Sequence, residues 1–129
     1  MTTTASTSAD SQTLLPGSRL RRVTEYIQAH LDQDLTLARL GAVVCMSPYH
    51  FARLFQHSTG LPPHRFVVRA RIDYAATLLP APELSIARIA RVAGFRTPSH
   101  FSTVFRRITS ATPRAHRARY LEIGRPEGQ

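Results

Sequence analysis

The chain has no lysine, a single cysteine and no long apolar run. One cysteine among 129 residues, Cys45, excludes an internal disulfide bond and a cysteine-rich zinc site. No apolar stretch approaches the roughly 20 residues that span a bilayer. The chain starts with MTTTASTSADSQT, which lacks the basic residues and the apolar stretch of a secretory signal. These absences predict a cytoplasmic protein without a membrane partner, in which residues 1–17 form a disordered tail.

Acidic residues are also scarce. The chain has eight of them against 17 lysine-plus-arginine residues, all arginine, for a formal net charge of +9. Between Glu83 and Glu122 no acidic residue occurs, whereas arginine occurs eight times there. The arginine side chain is a planar fork that can bind a phosphate or a guanine through two hydrogen bonds. A polyanion is therefore the expected partner, because a GC-rich genome would explain the missing lysine but not the shortage of acids.

One sequence pattern occurs twice. Residues 37–40 align with residues 86–89, and after a one-residue gap the alignment continues at an offset of 50. Six pairs at that offset are identical: Pro48 and Pro98, His50 and His100, Phe51 and Phe101, Phe55 and Phe105, Thr59 and Thr109, Pro63 and Pro113. So many identities within sixteen positions indicate one supersecondary unit present in two copies.

Each copy predicts a short helix, a tight turn and a longer helix. A serine or threonine precedes each of the four helices, as an N-cap does. These residues are Thr36 and Ser47 in the first copy and Ser85 and Thr97 in the second. Each longer helix has phenylalanines at i and i+4 and an aliphatic residue at i+3, which predicts one buried face. Gly60 and Gly94 are expected helix ends. This order of elements is a helix-turn-helix.

Three further helices complete an all-α prediction of two helix-turn-helix subdomains joined by a long linker helix. Residues 19–31 are expected to form an amphipathic helix, with either Tyr26 or Ile27 facing the core. Residues from about 64 to 79 contain no helix breaker and predict the linker helix. Thr112 and Pro113 open a terminal helix. No strand is expected, because apolar residues recur with a period near 3.6 rather than 2.

A helix-turn-helix places its second helix in the DNA major groove, with base contacts near that helix's N-terminus. The candidates in the first unit are Ser47, Tyr49, His50, Ala52, Arg53 and Gln56. Those in the second unit are Thr97, Ser99, His100, Ser102, Thr103, Arg106 and Arg107. Arg53 is the strongest base-reading candidate, because arginine to guanine is the commonest specific contact. The short hydroxyl side chains of the second unit predict weaker readout, and Arg106 and Arg107 suit phosphates better than bases.

Several of these residues have a structural alternative. Arg53 could be a solvated helix residue, and His50 and His100 could be hydrogen-bonded or partly buried beside the phenylalanines. In the first turn, Cys45 is aligned with Phe95 and is expected to be a small core residue, with redox sensing as the alternative.

No metal, cofactor or catalytic site is predicted. His50, His57 and His64 are spaced by seven residues, but residues 60–63 (GLPP) break the helix between the last two. No carboxylate lies nearby to complete a metal site, and no carboxylate pair is available for acid–base chemistry. We therefore expect a protein that is not an enzyme.

Residues 35–120 resemble the DNA-binding domain of the AraC/XylS family of bacterial transcription regulators. The matching runs of the first half are 35–40 (LTLARL), 46–55 (MSPYHFARLF) and 59–60 (TG). Those of the second half are 92–95 (VAGF), 99–102 (SHFS), 105–107 (FRR) and 112–113 (TP). The resemblance implies about seven helices within residues 18–121: a first subdomain over 18–61, a linker helix over 62–80 and a second subdomain over 81–121. Residues 122–129 are expected to be a C-terminal tail.

The resemblance also implies roles for individual residues. Tyr49 and Arg53 match base-contacting positions of the first recognition helix, and Pro98 lies among the positions where the second contacts DNA. The chain departs from the family pattern at four positions: Gly41 where alanine is usual, Thr103 where arginine is common, Ser110 where glycine is usual and His116 where tyrosine is frequent. Gly41 is expected to loosen helix packing, and Thr103 to weaken base readout by the second unit.

The expected function is sequence-specific binding of double-stranded DNA in transcription regulation. Fewer than twenty residues precede the first predicted helix. The chain is therefore similar to the short family members, which lack an effector domain and bind as monomers. We expect it to bind an asymmetric site of about two helical turns, to activate transcription by contacting RNA polymerase, and to be nucleoid-associated when bound. Two alternatives are a basic helical module that binds RNA or an acidic protein, and a fragment of a longer effector-responsive regulator.

Overall fold

The structure, a computed structural model, describes residues 14–124, and within that range it consists of seven α-helices without a strand. The helices are α1 (Gly17–Ala29), α2 (Leu37–Val43), α3 (Pro48–Thr59), α4 (Pro63–Leu78), α5 (Ile86–Val92), α6 (Pro98–Thr109) and α7 (Pro113–Gly124). The all-α prediction is confirmed. Most of both predicted tails, residues 1–13 and 125–129, lies outside the described residues.

The predicted N-terminal tail extends too far. Leu15 is 5% exposed, and its N–H donates a hydrogen bond of 2.8 Å to the Ser58 Oγ near the end of α3. An apolar side chain that is buried and a backbone group that is bonded are features of an ordered segment. At the other end, α7 continues to Gly124, and so covers the first three residues of the predicted C-terminal tail, 122–124.

The described residues form two compact units. The first contains residues up to 30 and residues 34–68, and the second contains residues 31–33 and the residues from 69 onward. In the first unit α1 packs against α2 and α2 packs against α3. Its core includes Val23 and Ile27 of α1, both fully buried, whereas Tyr26 is half-buried. Of the two alternatives left open in the sequence, Ile27 is therefore the core residue.

In the second unit α5 packs against α6 and α6 packs against α7. Gly94, in the turn after α5, has φ of +100°, and a Cβ there would lie 2.1 Å from the Leu31 carbonyl oxygen. Glycine is required at this position both by the left-handed backbone and by the close approach of residues 31–33. The prediction that Gly94 ends the short helix is confirmed.

Residues that match in the sequence repeat make equivalent contacts in the two units. Phe55 meets Phe66 edge-on, with ring centroids 5.0 Å apart, and at the same offset Phe105 meets His116 edge-on at 5.3 Å. The Thr59 hydroxyl donates to the Phe55 carbonyl at 2.9 Å and the Thr109 hydroxyl donates to the Phe105 carbonyl at 2.8 Å. The threonine of each copy thus makes the same hydrogen bond to a backbone carbonyl in the last turn of its longer helix.

The turn of the first unit differs from the sequence expectation. Cys45 has φ of +58° and is exposed, so the prediction of a small core residue is wrong. The Met46 N–H donates to the Gly41 carbonyl at 2.9 Å, and the Phe95 N–H donates to the Ala90 carbonyl at the same distance. These bonds make Met46 the counterpart of Phe95, and Cys45 therefore corresponds to Gly94 and not to Phe95.

Gly41 has a packing role that its residue type alone does not predict. A Cβ at this position would lie 2.8 Å from the Met46 carbonyl oxygen. The second unit has one more residue, Arg96, between this turn and its longer helix, and alanine occupies the matching position 90. The absence of a side chain at Gly41 thus accommodates the shorter turn, rather than loosening the packing.

Candidate nucleic-acid interface

The first recognition helix, α3, has one buried face and one exposed face. The Ser47 Oγ accepts a hydrogen bond of 3.3 Å from the His50 N–H, and Pro48 occupies the first helical turn. The buried face consists of Phe51, Leu54 and Phe55. The exposed residues include Tyr49, which is 79% exposed, and also His50, Arg53 and Gln56. Since a helix whose apolar side is committed to a core can offer its other side to a groove, α3 has the amphipathic form that readout requires.

The second recognition helix, α6, is built in the same way. The Thr97 Oγ1 accepts a hydrogen bond of 3.1 Å from the His100 N–H. The buried face consists of Phe101, Val104 and Phe105. The exposed residues are Pro98, Ser99, His100, Thr103, Arg106 and Arg107. All the residues predicted to contact DNA are exposed in the two helices and their caps, apart from Ala52 and Ser102, which are half-buried. Contact with DNA by these residues stays a prediction.

The two histidines at matching positions are both exposed, which removes partial burial as an explanation for them. Their backbone N–H groups are the ones that the cap residues bind, so each histidine lies in the first turn of its helix. The His100 ring lies 5.8 Å from the Phe95 ring, whereas His50 has no such ring contact within residues 14–124. The second ring is therefore more restrained than the first.

The repeat places Arg53 of α3 and Thr103 of α6 at matching positions. Arg53 is exposed and makes no hydrogen bond within residues 14–121, whose side chains the structure describes. The Thr103 hydroxyl donates to the Ser99 carbonyl at 3.1 Å. Its only donor is thus used inside the helix, which leaves the hydroxyl oxygen and the methyl group for contact with a ligand. The two recognition helices consequently offer different chemistry at the same structural position.

A shallow, open groove of about 460 Å³ lies on the second unit, beside the C-terminal half of α6. It is lined by Ser102, Thr103, Arg106, Arg107 and Thr112. Three hydroxyl-bearing residues and two arginines therefore line one depression. No carboxylate is among these residues, and none occurs in the sequence from 84 to 121. The groove is electropositive and suited to an anion.

In the described part of the chain, three arginines donate hydrogen bonds to backbone carbonyls. Arg39 donates to the Tyr26 hydroxyl at 2.8 Å and to the Asp34 carbonyl at 3.2 Å. Arg71 donates to the Leu31 and Gln33 carbonyls at 3.0 and 2.7 Å. Arg117 donates to three carbonyls, those of Leu79, Ala81 and Leu84. By charge alone Arg117 would be available to a polyanion, whereas the structure gives it a stabilising role inside the second unit.

The sequence model of one protein family, described as a helix-turn-helix domain, matches residues 40–119. The chain is also similar in structure to a transcriptional regulator from Chromobacterium violaceum described as having an AraC-type DNA-binding domain. The identity is 27% and the TM-score 0.77, over 83% of this chain and 96% of that one. This chain belongs to the AraC family. It is a helix-turn-helix DNA-binding domain of the kind that regulates transcription.

Other relatives agree with this assignment. The DNA-binding domain of AdpA, a global transcriptional factor solved in complex with a target DNA, is 32% identical with a TM-score of 0.76, over 85% of this chain and 98% of that one. The regulatory protein PocR of Salmonella typhimurium is 38% identical over 109 residues, which are 84% of this chain and 36% of PocR. The MmsAB operon regulatory protein of Pseudomonas aeruginosa is 32% identical over 94 residues, 73% of this chain and 31% of that protein. The chain thus spans about a third of the length of these two regulators.

Among residues 14–121, whose side chains the structure describes, no three histidine, cysteine, aspartate or glutamate side chains are grouped to hold a metal ion. No helix in that range is long and apolar enough to cross a membrane. The functional role that sequence reasoning missed is the carbonyl binding by Arg71 and Arg117. No local signal marks it, since the carbonyls lie 33 or more residues away in the chain.

Proposed function

We propose that this chain regulates transcription by inserting α3 and α6 into major-groove segments of one duplex site, as a monomer on DNA. The supporting observation is the division of each recognition helix into a buried phenylalanine face and an exposed polar face. An α-helix fits the major groove, and residues in its first turns meet the base edges. Tyr49 and Arg53 are the proposed base contacts of the first unit.

The proposed mode of action is activation through contact with RNA polymerase, and this part rests on the resemblance to the short family members. In vitro transcription from a promoter that carries the selected site tests it. A rise in transcript on addition of the full chain supports activation, and a fall at the same occupancy of the site indicates repression instead.

Selection of bound duplexes from a random library tests the DNA-binding mode. We expect a recovered motif in which at least one guanine is strongly preferred, because arginine pairs with guanine O6 and N7. Competition with structured RNA and with an acidic polypeptide at the same ionic strength is the control for charge alone. Equal binding to either competitor would favour a basic helical interaction module over a sequence-specific regulator.

Replacement of Arg53 by alanine should relax base preference at one position of the motif. The expected cost in binding free energy on the selected duplex is about 1–3 kcal/mol, the range for one bidentate base contact. Arg65→Ala is the matched control, since Arg65 is an exposed arginine of α4 in the same unit. If Arg53→Ala lowers the affinity for every sequence by the same factor, Arg53 binds a phosphate and does not read a base.

A further inference from the structure

One side of α1 is exposed along the whole helix. Val23 and Ile27 lie on the buried side of this helix. The residues on the opposite side recur at helical spacing and are all exposed: Ser18, Arg21, Arg22, Glu25, Gln28 and Ala29. We name this set the outer face of α1. It includes none of the residues predicted to contact DNA, so the proposed function leaves it without a role.

The charges on the outer face are separated along the helix. Arg21 and Arg22 come first, and Glu25 follows one turn later. A further arginine, Arg19, lies in the first turn of α1, and the last turn has no basic residue. This order is opposite to the one that the helix dipole favours, in which acidic residues come first and basic residues last. The charge pattern is therefore not explained by the stability of α1 itself.

These charged side chains have no partner in the described protein. Arg21 and Glu25 are four residues apart, a spacing at which ion pairs form on a helix. Nevertheless, Arg21, Arg22 and Glu25 make no side-chain hydrogen bond or ion pair within residues 14–121. The order with the basic residue first is the weaker one for such pairs. All three charges are therefore available to another molecule.

A shallow, open hollow of about 570 Å³ lies beside Glu25 and is lined by Thr24, Glu25, Gln28 and Ala29. The small side chains of Thr24 and Ala29 leave room on this part of the helix. An arginine side chain has an apolar stem that packs on such a surface and a charged head that can reach a carboxylate. The hollow is thus suited to an arginine from a neighbouring molecule.

We propose that the outer face of α1 binds the outer face of α1 in a second copy of this chain, with the two helices antiparallel. The antiparallel arrangement places Glu25 of each copy against Arg21 and Arg22 of the other, and a two-fold axis makes the contacts reciprocal. A parallel arrangement would place like charges together. An acidic partner would attract the two arginines but repel Glu25, whereas a second copy complements both signs.

The contact is small. One 13-residue helix per copy is less than the roughly 20–30 residues that each partner contributes to a stable interface. The net charge of +9 also makes two free copies repel one another. On a duplex the phosphates offset this repulsion, and neighbouring sites raise the effective concentration of one copy near the other. Each copy still reads its own site as a monomer, and this use of the contact rests on the proposed function.

The symmetry of the contact makes the orientation of the two DNA sites a test. A two-fold axis between the copies requires an inverted repeat, so a direct repeat of the selected site is the control duplex. The spacer is varied over one helical turn, about 10 base pairs. We expect the second copy to bind about tenfold more tightly than the first on the inverted repeat at its best spacing, a coupling of ordinary size. No coupling is expected on the direct repeat.

Glu25→Arg should abolish this cooperativity, because arginines then face arginines. Glu83→Arg is the matched control, since Glu83 is an exposed acid of the second unit and the change in charge is the same. Both variants should bind a single site with equal affinity. The swapped chain, which combines Arg21→Glu, Arg22→Glu and Glu25→Arg, should recover the cooperativity, because it restores the complementary pattern with the signs exchanged.

Disulfide trapping tests the contact without DNA. The antiparallel register that pairs Glu25 with Arg21 and Arg22 also places Ser18 opposite Gln28 and Ala29. In a Cys45→Ser background, a chain with Ser18→Cys is mixed with a chain with Ala29→Cys under oxidising conditions. We expect disulfides between the two different chains to form faster than disulfides within either kind. Thermal unfolding verifies that each variant is folded.

Three results would each overturn the proposal: cooperativity that survives Glu25→Arg, a swapped chain that does not recover it, or Ser18→Cys chains that crosslink mainly with one another. Absence of cooperativity at every spacing, together with no trapped pair, would assign the outer face to a different partner and would also overturn it. If the unaltered chain selects no DNA motif, the proposed function fails, whereas disulfide trapping still tests the contact between copies.

Discussion

Ser110 occupies a backbone conformation that normally belongs to glycine. It follows α6 with φ of +69°, and its N–H donates to the Arg106 carbonyl at 2.8 Å. Gly60 follows α3 with φ of +83° and makes the same bond to the Gln56 carbonyl at 2.8 Å. A side chain in the left-handed region clashes with the adjacent carbonyl, so Ser110 carries strain that Gly60 does not.

Replacement of Ser110 by glycine should therefore stabilise the protein. We expect the free energy of unfolding to rise by about 1 kcal/mol, the net of relieved backbone strain and the larger entropy of an unfolded glycine. Urea denaturation followed by far-ultraviolet circular dichroism measures it. Gly60→Ser is the reciprocal control and should lower the free energy of unfolding by a similar amount. A loss of stability on Ser110→Gly would mean that the serine side chain contributes more than its backbone strain costs.

His116 is a polar residue at a position where the first unit has a phenylalanine, Phe66. Its Nδ1 is buried and has no hydrogen-bond partner within the described residues. Its counterpart in the repeat, Phe66, makes the same edge-on contact to a phenylalanine of the recognition helix. A buried nitrogen without a partner loses its hydration without compensation.

We expect His116→Phe to raise the free energy of unfolding by about 1–2 kcal/mol, because it removes the unsatisfied nitrogen and keeps a ring of similar size. Chemical denaturation at pH 7 is the measurement. The reverse substitution in the first unit, Phe66→His, should destabilise the protein. If His116→Phe leaves the stability unchanged, water must satisfy the buried nitrogen in solution.

At the scale of elements, one arginine of α7 holds the connection between α4 and α5. Arg117 is part-buried and donates to three carbonyls of residues 79–84, a segment outside any helix. Hydrogen bonds from a charged donor contribute more than neutral ones, and backbone carbonyls left without partners cost the free energy of their lost hydration. Arg117, in the N-terminal half of α7, therefore stabilises a loop that precedes the second helix-turn-helix.

Arg117→Met, which keeps the apolar stem, should lower the free energy of unfolding by about 2–3 kcal/mol. Arg119→Met is the matched control, since Arg119 is exposed on the same helix and makes none of these bonds. Thermal unfolding of both variants compares them. The folded Arg117→Met protein should show the same slope of log DNA affinity against log salt concentration as the unaltered chain, because carbonyls already bind the Arg117 guanidinium. A reduced slope would instead assign Arg117 to a phosphate.

At the scale of the whole molecule, the duplicated pattern predicted most of the fold. The caps Ser47 and Thr97 and the buried faces of α3 and α6 follow from residue type and spacing, which are local properties. The outward positions of the two recognition helices followed with them, since the residues opposite a buried face must be exposed. The extent of the first tail was less predictable, because the hydrogen bond of the Leu15 N–H joins it to Ser58 of α3, 43 residues away.

In the turn of the first unit, the sequence alone does not define the alignment of the two copies. The alignment of the two copies needs a gap of one residue in the turn of the first unit. Residue identities alone do not show where between positions 41 and 47 this gap lies. Only the hydrogen bonds from Met46 to Gly41 and from Phe95 to Ala90 do so. They assign Cys45 to the left-handed position and to solvent, because a tight turn points that residue away from the core.

The sequence by itself determined that this chain is helical, duplicated and basic, because helix periodicity, capping and net charge are local or additive properties. Tertiary structure alone decided which arginines remain available to a ligand. Arg71 and Arg117 are bound by carbonyls of distant segments, whereas Arg53, Arg106 and Arg107 are exposed without such partners in the described residues. The physical reason is that a hydrogen bond between groups 33 or more residues apart exists only after the chain has folded.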